Sequence, residues 1–100
     1  MGVNSRSPII GGSQHALTVD STAGGITLTV PGSANTAEIF VETAPIRFTR
    51  DGTAPTTTVG FVAYPGDIII LNSKHELVNM KMIEDTTTDA SVEVEYFSDR

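Results

Sequence analysis

The chain has no cysteine and no tryptophan, only six basic residues against twelve acidic ones, and no long apolar run in its 100 residues. Without cysteine there is no disulfide framework, no thiolate nucleophile and no zinc site of the thiolate type, so stability has to come from packing. A formal charge of -6 removes sequence-independent binding to a phosphate backbone, which needs clustered Lys and Arg, and no nucleic-acid partner is expected. Spanning a bilayer takes roughly 18 to 20 apolar residues in succession. Residues 1–6 also lack the apolar core of a signal peptide. The expectation is a soluble chain with no membrane partner and no export signal. Its length leaves room for one core, since single domains run from roughly 50 to 250 residues.

Helix formers are also scarce. Leu, Lys, Arg and Gln are few, whereas fourteen Thr, nine Val and nine Ile make about a third of the chain β-branched. Such side chains are stiff at χ1 and suit a pleated surface better than a helix. Nine Gly and five Pro fall at short intervals between the apolar runs, the punctuation of several short strands.

Alternation with a period of two starts near Ala16. Leu17 and Val19, then Ile26, Leu28 and Val30, face one way, with a turn at Gly24 and Gly25. Ala37, Ile39 and Val41 alternate with Glu38, Phe40 and Glu42. Pro45 either starts a new strand or marks a bulge or edge, because proline cannot donate to a ladder; Ile46 and Phe48 then point inward and Arg47 outward. Asp51-Gly52 is the strongest turn signal in the chain. Val59, Phe61 and Ala63 lead to a turn at Pro65-Gly66. Ile68, Ile69, Ile70 and Leu71 form an unbroken apolar run that predicts a strand buried on both faces. Residues 72–76 read as a polar break, 78–84 as a further strand and 85–89 as an acidic Thr-rich loop. In the last strand Val92, Val94 and Tyr96 oppose Glu93, Glu95 and Phe97, a solvated acidic face.

Roughly seven or eight strands result. The expected fold is an all-β antiparallel sandwich of jelly-roll or Greek-key order, with an extended N-terminal arm over residues 1–14 and a single domain over 15–100. An up-and-down barrel is the alternative. Ile9 and Ile10 are an isolated apolar pair within the polar arm, and can either fray with it or anchor it on a neighbouring subunit.

The chemistry of a site is thinly supplied. His15 and His75 are the only histidines and read as exposed loop residues. Ser33 and Ser73 sit in turn contexts without a nucleophile-elbow pattern. Glu38 with Glu42, and Glu93 with Glu95, are paired carboxylates that read as charged strand faces, since a chain without Trp has little to stack a sugar on. Asp51, Asp85 and Asp89 with nearby Thr hydroxyls offer hard oxygen ligands, but their spacing matches no calcium-binding loop. No catalytic residue, cofactor or metal is expected, and no enzyme.

Residues 37–60 read Ala-Glu-Ile-Phe-Val-Glu-Thr-Ala-Pro-Ile-Arg-Phe-Thr-Arg-Asp-Gly-Thr-Ala-Pro-Thr-Thr-Thr-Val-Gly. With Arg47-Phe48, the Asp-Gly-Thr-Ala-Pro-Thr loop from Asp51 to Thr56, Gly60, a Pro-Gly-Asp turn from Pro65 to Asp67 and a closing Val-Glu-Tyr-Phe from Val94 to Phe97, the chain resembles small virion-associated proteins of tailed bacteriophages. The resemblance covers residues 16–97. It implies a non-catalytic cement or decoration protein, made in the host cytoplasm and placed on the capsid exterior, that clamps neighbouring copies of the major capsid protein and associates with itself as a homodimer or homotrimer. A tail- or fibre-associated structural protein is the alternative within that class. A host-glycan-binding β-sandwich module, using an exposed aromatic pair such as Tyr64 with Phe40, is the competing one.

The residues expected at protein contacts are Ile9 and Ile10 in the arm, and Arg47, Asp51, Thr53, Pro55 and Thr56 in and beneath the central loop. Pro55 restrains that loop, and a loop already ordered loses less entropy on docking than a flexible one. The plainer role for Arg47 is to pair with Asp51 or Glu42 and fix the loop in place.

Overall fold

The computed structural model describes residues 6–98; residues 1–5 of the expected arm lie outside them. The turn residues cut the chain into nine strands and one short helix. These are β1 (Ser7–Pro8), β2 (Gln14–Val19), β3 (Ile26–Thr27), β4 (Thr36–Val41), β5 (Ile46–Thr49), β6 (Phe61–Ala63), β7 (Ile68–Leu71), α1 (Lys74–Asn79), β8 (Lys81–Glu84) and β9 (Ala90–Ser98). One sheet runs β1-β9-β4-β7, with β2 also on β9, and the other runs β3-β8-β5-β6. All ladders are antiparallel.

The pairs nest: β2 with β9, β3 with β8, β4 with β7, β5 with β6. The chain is therefore one long antiparallel hairpin whose tip is the β5–β6 loop. It is rolled up so that from β2 onward consecutive strands, the tip pair excepted, fall in opposite sheets. This is the strand order of a jelly roll. The expected all-β sandwich is the fold, and the barrel alternative is excluded by the two separate sheets. Pro45 lies just before β5, where it starts a new strand.

Packing follows the alternation. Ile39, Val41, Val92 and Val94 face Ile46, Met82 and Ala63 across the sandwich, all within the buried core. Burying each large aliphatic side chain contributes about 1.5 to 3 kcal/mol relative to leaving it exposed. Tyr96 is fully buried, and its hydroxyl donates to Gln14 Oε1 on β2; burial pushes the phenol well above its usual range.

The N-terminal segment is tied to its own chain. Ser7 and Pro8 pair with Ser98 and Phe97, and Ile9 N donates to Tyr96 O at 3.0 Å. Arg6 lies 3.6 Å over the Phe97 ring and reaches Glu38 on β4 at 2.9 Å. Between β1 and the rest of β2 the register shifts after Gln14. There Ala16 holds a positive φ of 51°, which is unfavourable for a residue with a Cβ. Glu93 pins this bulge: its carboxylate accepts the Ala16 amide at 2.6 Å and meets His15 Nδ1 at 2.5 Å. His15 is thus a strand residue with a carboxylate partner rather than a loop histidine.

Three expectations fail. The Ile68–Leu71 run is not buried on both faces: Ile69 and Leu71 enter the core, but Ile68 and Ile70 are 53% and 48% exposed, because a two-sheet sandwich packs no layer on the outer face of this sheet and β7 lies at its edge. Residues 72–76 are not a simple break, and the following strand does not begin at Val78. Ser73 caps α1, accepting the Glu76 amide at 3.2 Å, while Glu76 accepts the Asn72 amide at 2.8 Å. One orphan donor of the first turn, and the amide just ahead of the cap, are thereby satisfied. Leu77 anchors the helix in the core and Met80 follows it there. The strand starts at Lys81. The strand count is nine rather than seven or eight, since β1 and β2 divide one line along β9.

Two predictions follow from this packing. Thr36 Oγ1 is buried without a hydrogen-bond partner among the described residues, and an unmade hydrogen bond is a net cost. Thr36→Val should raise the unfolding free energy by about 1 kcal/mol in urea titrations; no gain would mean the hydroxyl is satisfied. The His15 contact, then the Ala16 amide, hold the Glu93 carboxyl below its usual range. A depressed carboxyl contributes stability above its unfolded pKa that is lost as pH falls through the folded one. The protection factors of the amides in residues 14–19, which divide out the intrinsic slowing of exchange in acid, should therefore fall on acidification. In Glu93→Gln they should already be low at neutral pH and depend less on pH; the same pH profile of protection in both proteins would remove Glu93 from the role.

Candidate functional site

The tip of the hairpin is where most of the expected contact residues gather. Residues 50–60 leave β5, fold back over the outer face of the β3-β8-β5-β6 sheet and return as β6. Asp51 Oδ1 accepts the Thr53 amide at 3.0 Å, an Asx turn, and these Thr53 hydrogen bonds hold its carboxyl below the usual range. Thr49 Oγ1 donates to Thr53 O at 2.5 Å. Thr56 Oγ1 accepts the amides of Thr58 and Val59 at 3.2 and 3.1 Å, and Thr56 N donates to Val59 O at 3.0 Å.

Two inward residues hold the loop against the sheet. Pro55 is buried; a Cβ added at Gly25, just before β3, would come within 3.2 Å of Pro55 Cδ and 3.0 Å of Lys81 Cβ. Arg47 projects from the outer face of β5 but is only 19% exposed under the loop. Its Nε donates to Asp85 Oδ1 at 3.1 Å and its Nη1 to Gly60 O at 3.2 Å. Neither Asp51 nor Glu42 is its partner. The expected pairing fails because Asp85 arrives from the β8–β9 connection, 38 residues away, beside β5 only once β8 has paired. Gly60 has a φ of +121°, and a Cβ there would sit 2.9 Å from Arg47 Cγ and 3.0 Å from Phe48 O. Only glycine allows so close an approach over Arg47.

Beside the loop lies a cleft of about 570 Å³ bounded by Arg50, Asp51, Val59 and Phe61 on the hairpin side and by His75 and Glu76 of α1 on the other. Gly52 N joins the two sides by donating to Asn79 O at 3.2 Å. Phe61 sits opposite Phe48, ring centroids 6.0 Å apart, yet is 65% exposed. The two carboxylates here are already engaged in structure, Asp51 in its turn and Glu76 in the helix cap.

The loop brings Arg47, Asp51, Thr53, Pro55 and Thr56 together. Ile9 and Ile10 are apart from them: Ile9 packs partly against the chain's own core, and Ile10 is fully exposed. Phe40 lines a groove with His15, Glu42 and Glu93 on the outer face of the other sheet, whereas Tyr64 stands exposed in the β6–β7 turn. Glu84 is the carboxyl pushed up, by a hydrogen bond with Asp89, desolvation and the charges of Asp89 and Asp20; it lies at the β8–β9 end, beside the Asp85 that serves Arg47. Among the described residues no three His, Cys, Asp or Glu side chains gather so as to hold a metal ion.

His75, Glu76, Phe61 and Asp85 were not identified from the sequence. A local signal existed for Glu76, since Ser73-Lys-His-Glu76 has the spacing of a capping box. None existed for Asp85. Searches against family models, curated proteins and solved structures each find no match to this chain.

Arg47→Ala should lower the unfolding free energy by about 2 kcal/mol, since it removes a charge-assisted pair and a carbonyl contact from a largely covered position. Arg47→Lys should restore only part of that, because an ammonium lacks the guanidinium fork. Equal stability of all three proteins in urea would show that the pair does not hold the loop.

Proposed function

We propose that the chain is a structural virion component of a tailed phage, a cement or decoration protein that docks on the outer capsid lattice and clamps neighbouring major capsid subunits. The observation that carries this reading is the state of the β5–β6 loop. Thr53, Ala54 and Thr56 to Val59 are exposed, none is charged, and their backbone is fixed from below by Arg47, Pro55 and its own turn bonds. A surface ordered before contact loses little entropy on docking. The residues that carry the resemblance to virion-associated proteins, Arg47, Asp51, Thr53, Pro55, Thr56 and Gly60, are those that fix this shape.

The division of roles follows from the geometry. Arg47 and Pro55 are supports that face the sheet, while Thr53, Ala54 and Thr57 present side chains outward, with Val59 and Phe61 adding apolar area at the cleft. The acidic remainder of the surface faces solvent and keeps the free protein soluble.

The test is to add the purified protein to capsids assembled without it and determine occupancy by cryo-electron microscopy. Ordered density at defined lattice axes is expected, with the loop at the contact. Ala54→Arg combined with Thr57→Arg should abolish occupancy while leaving the melting temperature of the free protein unchanged. Density confined to the tail, or none, would overturn the capsid assignment; full occupancy by the double variant would move the contact off the loop.

A further inference from the structure

The two sheets of this fold have four edges, and three of them are protected. The β1/β2 edge carries Pro8 and the bulge at Ala16; β3 is two residues long; β6 is three residues long, between Gly60 and Pro65. Prolines, bulges and short strands are the devices that prevent one sheet edge from pairing with another. β7, one residue longer than β6, has no proline, bulge or charge within it. Its four residues are uncharged and β-branched or Leu, no charge follows until Lys74, and Ile68 and Ile70 stand about half exposed on its outer face.

The backbone of β7 is open in a defined pattern. Val41 N donates to Asp67 O at 3.0 Å, so the Asp67 carbonyl faces β4. Along an antiparallel strand the direction of the backbone groups alternates. Ile69 and Leu71, opposite Ile39 and Ala37, therefore bond to β4, while the N–H and C=O of Ile68 and Ile70 point to the free edge.

We propose that the occupant of this edge is a second copy of the chain, β7 pairing with β7 antiparallel across a two-fold axis at Ile69, so that the β1-β9-β4-β7 sheet continues through the dimer. Facing residues in an antiparallel pair share a sheet face, so a dyad permits only registers that match like parity. With Ile69 on the axis, Ile68 of each copy faces Ile70 of the other, and each such pair exchanges two backbone hydrogen bonds. Every donor and acceptor that β7 leaves open is then used. Its outer isoleucines close into one apolar row that continues onto Phe40, the residue opposite Ile68 on β4.

Charge is compatible with a like partner at this edge. A chain of net charge -6 repels its own copies over most of its surface. The groove between β6 and β7, about 320 Å³, is lined by Phe48, Val62 and Ile69 with one basic residue, Arg50, and one acidic residue, Asp67. Two copies meeting there bring together apolar surface and balanced charge. A self-complementary patch that closes on itself gives a dimer and not a filament. The pairing stands independently of the virion reading.

The experiment uses the full chain and exploits its lack of cysteine. Sedimentation equilibrium of the wild-type protein should show a monomer–dimer equilibrium, with Ile68→Lys/Ile70→Lys weakening it at least about tenfold by placing like charges opposite each other. Under mild oxidation a mixture of Ile68→Cys and Ile70→Cys proteins should form mixed disulfide dimers, because a hydrogen-bonded pair sets Cα atoms about 5.5 Å apart, within disulfide range. Each variant alone should cross-link far less. A wild-type monomer at all concentrations, a trimer, or a dimer whose mixed cross-link is no better than either variant alone would overturn the proposal.

Discussion

The fold depends on a pairing between its ends. β9 is the longest strand and carries β1 and β2 on one side and β4 on the other, so the first and last segments of the chain close the same sheet. Closing a loop of that length costs entropy that grows slowly with length, but it has to be met before the contacts form. In a chain without disulfide or thiolate metal site, the return comes from packing: Val19, Val92, Val94 and Tyr96 are each 0–1% exposed at this junction. The Glu93 bulge and the Arg6 stack on Phe97 then fix where β1 and β2 lie along it.

The nesting links the paired ends to the tip through β3 with β8 and β4 with β7. β8 lies between β3 and β5, and Asp85 stands beside Arg47 because β8 pairs with β5. The tip loop is held from below by the ion pair, the close approach at Gly60 and the buried Pro55, while its other side chains stay largely at the surface. That arrangement leaves a row of exposed side chains on a rigid backbone, the combination expected of a contact surface more than of a catalytic one.

Much of this was legible in the sequence where local pattern and burial coincide. β4, β5 and β9 alternate cleanly, and their inward residues are the core; Asp51-Gly52 marks its turn because both residues act on their own backbone. What failed was decided at long range. Four apolar residues in a row at β7 read as burial on both sides, yet burial of a face depends on whether another layer covers it, and a two-sheet sandwich covers only one face of each sheet. α1 was masked by a β-rich composition although Ser73 and Glu76 stood at capping distance, a local signal weaker than the surrounding strand pattern. The partner of Arg47 could not be chosen among several carboxylates, because proximity along the chain says little about proximity across a rolled hairpin.

The central motif therefore has to be read with care for what it encodes. Arg47, Asp51, Pro55, Thr56 and Gly60 are consumed in building the loop: one lies under it, two make its turns, one is buried, and one admits the arginine. The atoms left for a partner belong to Thr53, Ala54, Thr57, Thr58 and Val59, to which turn chemistry is largely indifferent. A sequence sharing the first set would share the scaffold, while the second set would remain free to suit whatever surface it meets. Resemblance through the motif thus argues for the shape of the loop first, and the identity of the partner has to be sought in the exposed residues that the shape presents.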